Sequence, residues 1–514
     1  MRRWTNFLRG RHRRAAVAIV LAVTLSAAAC TSPDEPSPRA VPGPGGVEQT
    51  AAGPLNSADR LLFWLACRQV VDMTDAQLDE WKSRGVDGFV CVIQRLRGMG
   101  GGQDLTGDPG AALAGPELDL QRRLRDSRVV ERAKRRGMDL YLGFYLVNSM
   151  NPSTPLMEWF DDAGWANVVL PSVRNAAGAA KQLGFAGLAF DQELYPQAGG
   201  VKTATWDWDY PGHSRPEADV RAMVKRRGQE LMTAILQGFP NVDILAYATF
   251  FPDTWDEVVQ QEINGLQNRY DKYVQIEFWD GLTSVEGYGA IRMLNAIFYK
   301  TPHVRGSTWD TALQYESNSL FSLLSQRFSN WSYASSRVFE SPFSWISAGR
   351  TRFEQALSPD DVDEQLDAFK RWGMGRTSAN FVFGELNQFD YGPYVPAMRK
   401  ASSPSVVVAE PPSLVVSTPA AGRPSQAAGA TATIEGFATD KYAVRLVRWS
   451  DEQGKSGVAT LRWDRGNGSY AKGWDWKMQW SAADVPLRAG TNRITITAES
   501  IKGTSASKTV EITR

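Results

Sequence analysis

Between Asp59 and about Lys400, short apolar runs alternate with segments of helical periodicity, the signature of repeated β/α units. The spacing predicts strands at 61–67 (LLFWLAC), 88–94 (GFVCVIQ), 140–147 (LYLGFYLV), 186–192 (AGLAFDQ), 243–250 (DILAYATF), 273–279 (YVQIEFW), 337–345 (RVFESPFSW) and 379–386 (ANFVFGEL). Helices are expected between them. Thr74 to Gly85 opens on the cap-like TDAQ and closes on glycine, and Ser127 to Gly137 repeats that punctuation. Before the last strand, Ser358 is placed as an N-cap, with Pro359 at the first helical position and acids in the first turn. Eight such units predict an α/β fold, a closed (β/α)8 barrel. A doubly wound open sheet would carry a glycine-rich phosphate loop after its first strand, and none is written here. The Gly98–Gly102 cluster follows the second strand, without P-loop lysine or GxGxxG spacing, and reads as a βα loop.

Residues 401–414 are rich in Pro, Ser and Val, and the pattern then changes to short alternating strands punctuated by Gly and Asn. The runs 442–449, 459–463 and 492–500 alternate as half-buried strands do, and about 100 residues suffice for a β-sandwich. With Gly436, Asp440, Trp449, the Gly454/Gly457 turn, Trp480, Pro486-Leu487 and Gly490-Thr-Asn492, the segment resembles bacterial Ig-like modules of secreted carbohydrate-active enzymes. That resemblance implies a small all-β Ig-like sandwich serving as a spacer or glycan-associated module.

The first residues read as a targeting segment: Arg2, Arg3, Arg9, Arg11, Arg13 and Arg14 precede an apolar run from Ala15 to Leu25 and a small-residue stretch ending at Cys30. This resembles a bacterial lipoprotein signal, which implies lipidation of Cys30 and a membrane anchor. Cleavage after Ala27-Ala28-Ala29, giving a secreted protein, is the alternative reading. The Pro/Gly/Ser-rich stretch that follows cannot bury a core and reads as a tether. The expected organisation is a signal at 1–30, a linker at 31–56, the barrel at 57–400, a linker at 401–414 and the β-sandwich at 415–514.

Charge alters the picture only by exclusion. With 57 Lys plus Arg against 56 Asp plus Glu, nothing marks nucleic acid as a partner. The three histidines, His12, His213 and His303, form no metal-ligand spacing, so no metal or cofactor is expected. A GxSxG elbow is absent as well. Cys67 and Cys91 lie in neighbouring predicted strands; an exported chain permits a disulfide between them, but adjacent strands rarely offer the geometry, which favours two buried thiols. The chain is expected to be a monomer.

Candidate chemistry gathers at GFAGLAFDQELYP, 184–196. Strand alternation there puts Gly187, Ala189, Asp191 and Glu193 on one face, and acids at the carboxyl end of a barrel strand stand where catalytic groups are mounted. Glycoside hydrolysis needs two carboxyl groups, so Glu193 is the candidate general acid/base and Asp191 the nucleophile or substrate-orienting group. The alternation of the predicted sixth strand offers Glu277 as a further carboxylate, with Glu340 as another. Trp279, Tyr145, Tyr247, Tyr195, Arg68, Gln94 and Glu340 are the candidate substrate contacts, since sugars are held by flat rings, amides and guanidinium groups. Glu385, in FGELNQFDYG, is a further contact candidate. TWDWDY at 205–210 reads equally as a stacking platform or as a loop held by its own aromatics.

The 184–196 segment resembles the DGxDxDxE motif of chitinase-like, family 18-type glycoside hydrolases through Gly187, Asp191 and Glu193; Ala186 and Ala189 replace two of its aspartates. The resemblance implies a TIM-barrel glycoside hydrolase in which the final Glu is the acid and the preceding Asp orients the substrate. The expected function is thus an exported, membrane-anchored glycoside hydrolase acting on a polysaccharide or cell-envelope glycan. Its rival is a noncatalytic glycan-binding or surface-scaffold lipoprotein on the same barrel.

Overall fold

The computed structural model describes residues 60–93, 116–145, 158–191, 208–210, 213–247, 274–295, 308–345, 358–372, 379–383, 390–403, 409–419, 425–427, 429–463 and 477–514. All of them belong to one compact unit, Pro54–Arg514.

Eight strands run parallel: β1 (Arg60–Ala66), β2 (Gly88–Ile93), β3 (Asp139–Tyr145), β4 (Gly187–Asp191), β5 (Asp243–Tyr247), β6 (Ile291–Asn295), β7 (Val338–Trp345) and β8 (Ala379–Phe383). Each pairs with its successor and the sheet curls until β8 pairs back to β1, Leu62 opposite Phe381 and Trp64 opposite Phe383. The helices are α1 (Cys67–Val71), α2 (Asp75–Ser83), α3 (Pro116–Ser127), α4 (Val129–Lys134), α5 (Asp162–Gly164), α6 (Leu170–Leu183), α7 (Glu217–Gly238), α8 (Gln275–Ser284), α9 (Thr308–Arg327), α10 (Trp331–Ala334), α11 (Pro359–Trp372) and α12 (Val395–Ser402). Several starts follow the written punctuation. Thr74 and Gln77 form a reciprocal capping box, and Ser358 Oγ accepts from the Asp361 amide at 3.1 Å.

The pairing register sorts side chains into two faces. Trp64, Val90, Tyr141, Gly187 and Asp243 form one row, and Val92, Gly143, Ala189, Leu245 and Arg292 the next. These line the inside of the curl. Gly187 is required there, because a Cβ would lie 2.8 Å from the Tyr141 ring and 2.2 Å from the Asp243 carbonyl oxygen. At the strand starts the interior is charged: Arg60 pairs with Asp139, and Arg292 with Asp243 at 3.3 Å. The opposite face meets the helices, as Phe63 shows by packing against Trp81 of α2 with ring centroids 5.3 Å apart.

The sixth strand is not where alternation put it. Residues 275–284 are the helix α8, and β6 is Ile291–Asn295. Val274, Phe278 and Leu282 are all fully buried, a stripe at helical spacing that coincides over a short window with β-like alternation. The β6 run was hidden by Arg292, which interrupts the apolar sequence because it serves the buried ion pair with Asp243.

Two glycines decide how α8 sits. A Cβ on Gly228 of α7 would fall 2.1 Å from the Phe278 carbonyl oxygen, and one on Gly281 of α8 would fall 2.0 Å from the Lys225 carbonyl oxygen. The helices therefore touch backbone to backbone. Beside that contact Arg227, 1% exposed, donates to the Trp159 carbonyl at 2.8 Å and to Asp162 and Glu230 at 2.6 Å each. Its guanidinium holds the Asp162 carboxyl below the usual carboxylate range.

The C-terminal β region has two sheets, in orders β10-β17-β16-β12-β13 and β14-β15-β11-β9. Their strands are β9 (Ser413–Thr418), β10 (Ser425–Gln426), β11 (Thr431–Thr439), β12 (Val444–Asp451), β13 (Ser456–Val458), β14 (Thr460–Trp463), β15 (Met478–Pro486), β16 (Thr491–Ser500) and β17 (Ser505–Thr513). Alternate residues are buried, Ile494, Ile496 and Ala498 of β16 meeting the same core as Ile434, Leu461 and Trp480.

Cys67 and Cys91 are joined in a disulfide, contrary to the expectation of two thiols. The reason is local: Cys67 is the first residue of α1 and not the last of β1, so the backbone turns before it reaches Cys91 on β2.

Two outcomes follow from this packing. Reduction of the disulfide, which closes a separation of 24 residues, is expected to lower stability by about 3 kcal/mol, read as an earlier denaturant midpoint under reductant than without it. Gly228→Ala and Gly281→Ala are each expected to cost about 1 to 3 kcal/mol by overpacking the helix crossing, measured by urea unfolding; unchanged midpoints would mean that the helices do not touch there.

Candidate active site

In a parallel sheet all strand carboxyl ends lie on one side, so the geometry there depends on register alone. Tyr145, Asp191 and Tyr247 are the terminal residues of β3, β4 and β5, and they are direct Cα partners: Tyr145 opposite Asp191, and Asp191 opposite Tyr247. Leu294 of β6 continues the row. The row stands two residues beyond Gly143, Ala189 and Leu245, on the alternation that lines the interior. Adjacent parallel strands are about 4.8 Å apart, so the three backbone positions span about 10 Å. Glu193, Tyr195, Gln94, Glu385 and Cys30 lie outside the described residues.

Four other candidates stand elsewhere than the alternation implied. Glu277 is on α8, among the helices. It accepts from Arg327 of α9 at 2.6 Å and pairs with Arg221 of α7 at 3.1 Å. Its partner in the turn, Asp280, takes Lys225 at 2.7 Å and the Ser329 amide at 2.7 Å. The two carboxylates bind α8 to the helices on either side. Trp279, fully buried on the same helix, is core. Neither residue faces the strand ends, because a helix turns each side chain by 100° where a strand would have alternated them.

Glu340 is correctly placed on β7 but faces the other way. It pairs with Met293 in register, on the alternation that packs against the helices, and accepts a hydrogen bond from Ser317 of α9. At 4% exposure it is a buried partner of that helix. Arg68 is exposed on α1, since β1 ends at Ala66.

The aromatic insertion is resolved toward its anchoring role at its described end. The Tyr210 hydroxyl donates to Glu158, and the ring packs on His213 with centroids 4.1 Å apart. Burial, together with the Glu158 carboxylate, pushes the Tyr210 hydroxyl above the ordinary range, so it stays a donor. Arg215 lies 3.8 Å over the Phe160 ring.

Among the described residues no His, Cys, Asp and Glu group is arranged to hold a metal ion, and no helix is long and apolar enough to cross a membrane. What the sequence reading missed is that Glu277 acts together with Asp280 to organise the α7–α8–α9 contact. The i, i+3 spacing of two acids inside an apolar helix was the available signal.

This chain has an α/β fold built on a curled parallel sheet, with a separate β-rich region after it. No protein-family model matches it, and no curated protein does. Similar solved structures include the endo-beta-1,4-mannanase from Thermotoga petrophila, at 9% identity over 89% of this chain and 97% of that one, with a TM-score of 0.39. The endo-1,4-beta-mannanase from Rhizomucor miehei is 10% identical over 67% of this chain and 94% of its own, with a TM-score of 0.40. A chitinase from Bacteroides thetaiotaomicron is 9% identical over 67% and 96%, with a TM-score of 0.35.

The ion pairs assign Glu277 a structural task. Glu277→Gln is expected to cost about 1 to 3 kcal/mol, seen in the urea midpoint, while leaving saccharide binding and any turnover unchanged. A selective loss of turnover at full stability would return Glu277 to the site.

Proposed function

We propose that the protein is a carbohydrate-active enzyme, a glycoside hydrolase on a (β/α)8 barrel of the TIM type, followed by an Ig-like sandwich. The observation that carries the reading is the row Tyr145–Asp191–Tyr247 at the carboxyl ends of three adjacent strands, with Glu193 two residues further along the chain. A carboxylate between two tyrosines, at the end of the sheet where βα loops gather, suits a sugar ring: hydroxyls to hydrogen-bond and flat faces to stack. In this reading Glu193 is the general acid/base and Asp191 the nucleophile or orienting carboxylate, with Tyr195 and Gln94 as further contacts.

With Glu277 and Glu340 engaged among the helices, the second carboxylate is sought at another strand end. Glu385 is our candidate. It stands two residues past Phe383, the terminal residue of β8, whose register partner is Trp64 on the interior alternation.

We also read residues 1–30 as an export signal with lipidation at Cys30, residues 31–56 and 401–414 as linkers, and the substrate as a polysaccharide or cell-envelope glycan. The disulfide supports an oxidising, exported setting. The protein would act as a monomer.

One observation favours the noncatalytic alternative. Ala189, where chitinase-like enzymes carry an aspartate, is fully buried and paired in register with Gly143 and Leu245. The acid that would stand at position 189 in that motif is therefore replaced by apolar packing, as suits a glycan-binding protein that has lost turnover.

Reducing-sugar release from polysaccharides and bacterial envelope glycans separates the two. An enzyme is expected to lose roughly 100-fold to 10,000-fold of its turnover on Glu193→Gln and to lose turnover on Asp191→Asn, with its fold intact. Saccharide binding without release, equal in wild type and both variants, would establish the binding protein instead.

A further inference from the structure

The outward face of α9 is written in serine and amide residues, Gln314, Asn318, Ser322, Ser325 and Gln326, in a helix whose other side carries Trp309, Leu313, Leu320, Phe321 and Leu324. A solvated helix face would be expected to carry charges, and serine is a poor choice in a helix interior because its hydroxyl competes for the backbone. Here the serines are buried, Ser322 and Ser325 at 8% exposure each. What covers them is the edge of the four-stranded sheet.

β14 ends that sheet, pairing with β15 on one side only. On its other side, the Ser325 hydroxyl accepts from the Leu461 amide at 2.8 Å and lies 3.0 Å from the Leu461 carbonyl oxygen, to which it donates; the Ser322 carbonyl competes for the same proton at 3.1 Å. Gln326 Nε2 donates to the same Leu461 carbonyl at 3.0 Å. Two residues on, the Ser322 hydroxyl accepts from the Trp463 amide at 2.9 Å. Strand groups facing one edge recur every second residue, and helix side chains on one face every third or fourth, so Ser322 and Ser325 meet Trp463 and Leu461. A single hydroxyl that serves both the amide and the carbonyl of one residue does what the opposing residue of an antiparallel ladder does.

Two further contacts fix the orientation. Gln314 donates to the Asp440 carbonyl at 3.1 Å, and Tyr442 packs edge-on against Trp372 at the end of α11, centroids 5.2 Å apart. The turn that presents them is itself braced, Asp440 accepting from the Tyr442 amide at 2.8 Å and from the Ser500 hydroxyl at 3.0 Å.

We propose that the serine face of α9 is a docking surface for the β14 edge of the same chain, and that the C-terminal β region is a fixed clamp on the barrel. It is then not a spacer that moves about its linker. The inference is independent of the hydrolase reading. It also explains why an otherwise unprotected sheet edge is safe from pairing with another chain.

The experiment uses the full-length chain with a site-specific protease sequence inserted within residues 404–408, cut under native conditions and passed over a sizing column. The two pieces are expected to co-elute, and to separate at least about tenfold faster on dilution in the Ser322→Ala/Ser325→Val variant, which strands the Leu461 and Trp463 backbone groups. Separation of the wild-type pieces on cutting would overturn the clamp. Equal retention in wild type and variant would overturn the role of the serine edge. If the variant fails to fold, the wild-type cut still decides whether the region is clamped.

Discussion

The structure depends on one constraint, that every backbone donor and acceptor of an all-parallel sheet must be met without a free edge. Closing β8 onto β1 meets it for the sheet, at the cost of covering the entire outer face with helices. Each helix must then settle its own termini and outward face. Most do so with charge toward water, as α4 does with Arg128, Glu131 and Arg135. Helix α9 does so with hydroxyls and amides against a strand edge. The need to satisfy backbone hydrogen bonds thus runs from the barrel wall to the last strands of the chain.

Charge inside this molecule is mostly spent on position. The barrel floor holds Arg60–Asp139 and Arg292–Asp243, and the outer layer holds Arg227 with Asp162 and Glu230, and Glu277 with Arg221 and Arg327. In each case a guanidinium meets carboxylates in a fixed geometry that a lysine would not reproduce. An acid found in an apolar stretch of this sequence is therefore more often an anchor than a reagent. Glu277 and Glu340 are two such anchors.

Seven of the eight barrel strands were legible because their apolar runs are bounded by Gly, Asp or a cap, and parallel strands buried on both faces read as continuous apolar sequence. The sixth was not, for a physical reason. Helix α8 is enclosed by α7, α9 and the wall, so even Gln275 and Asp280 are buried and no polar face remains to reveal a period of 3.6. Its true marker was Gly281, a glycine that makes sense in a helix only if another backbone lies against it, as Lys225 does. The disulfide was misjudged by the same kind of error at smaller scale, a strand carried one residue too far past Ala66. In the C-terminal region the alternation was plain from the sequence, but the reason for the serines of α9 was not, since the groups they serve lie more than a hundred residues away.

For the candidate site, what the sequence held was strand parity, and parity is only as good as the element it is applied to. On β4 the element itself is a strand: Asp191 ends it, in register with Tyr145 and Tyr247. Applied to α8 it placed Glu277 and Trp279 at a mouth they do not reach. Applied to β7 it would have excluded Glu340 at once, since that residue shares its alternation with Met293 and Phe63, both packed toward the helices. In the proposed hydrolase the pair of carboxylates is therefore sought at strand ends on the interior alternation, which directs attention from the helices to the segments following β4 and β8.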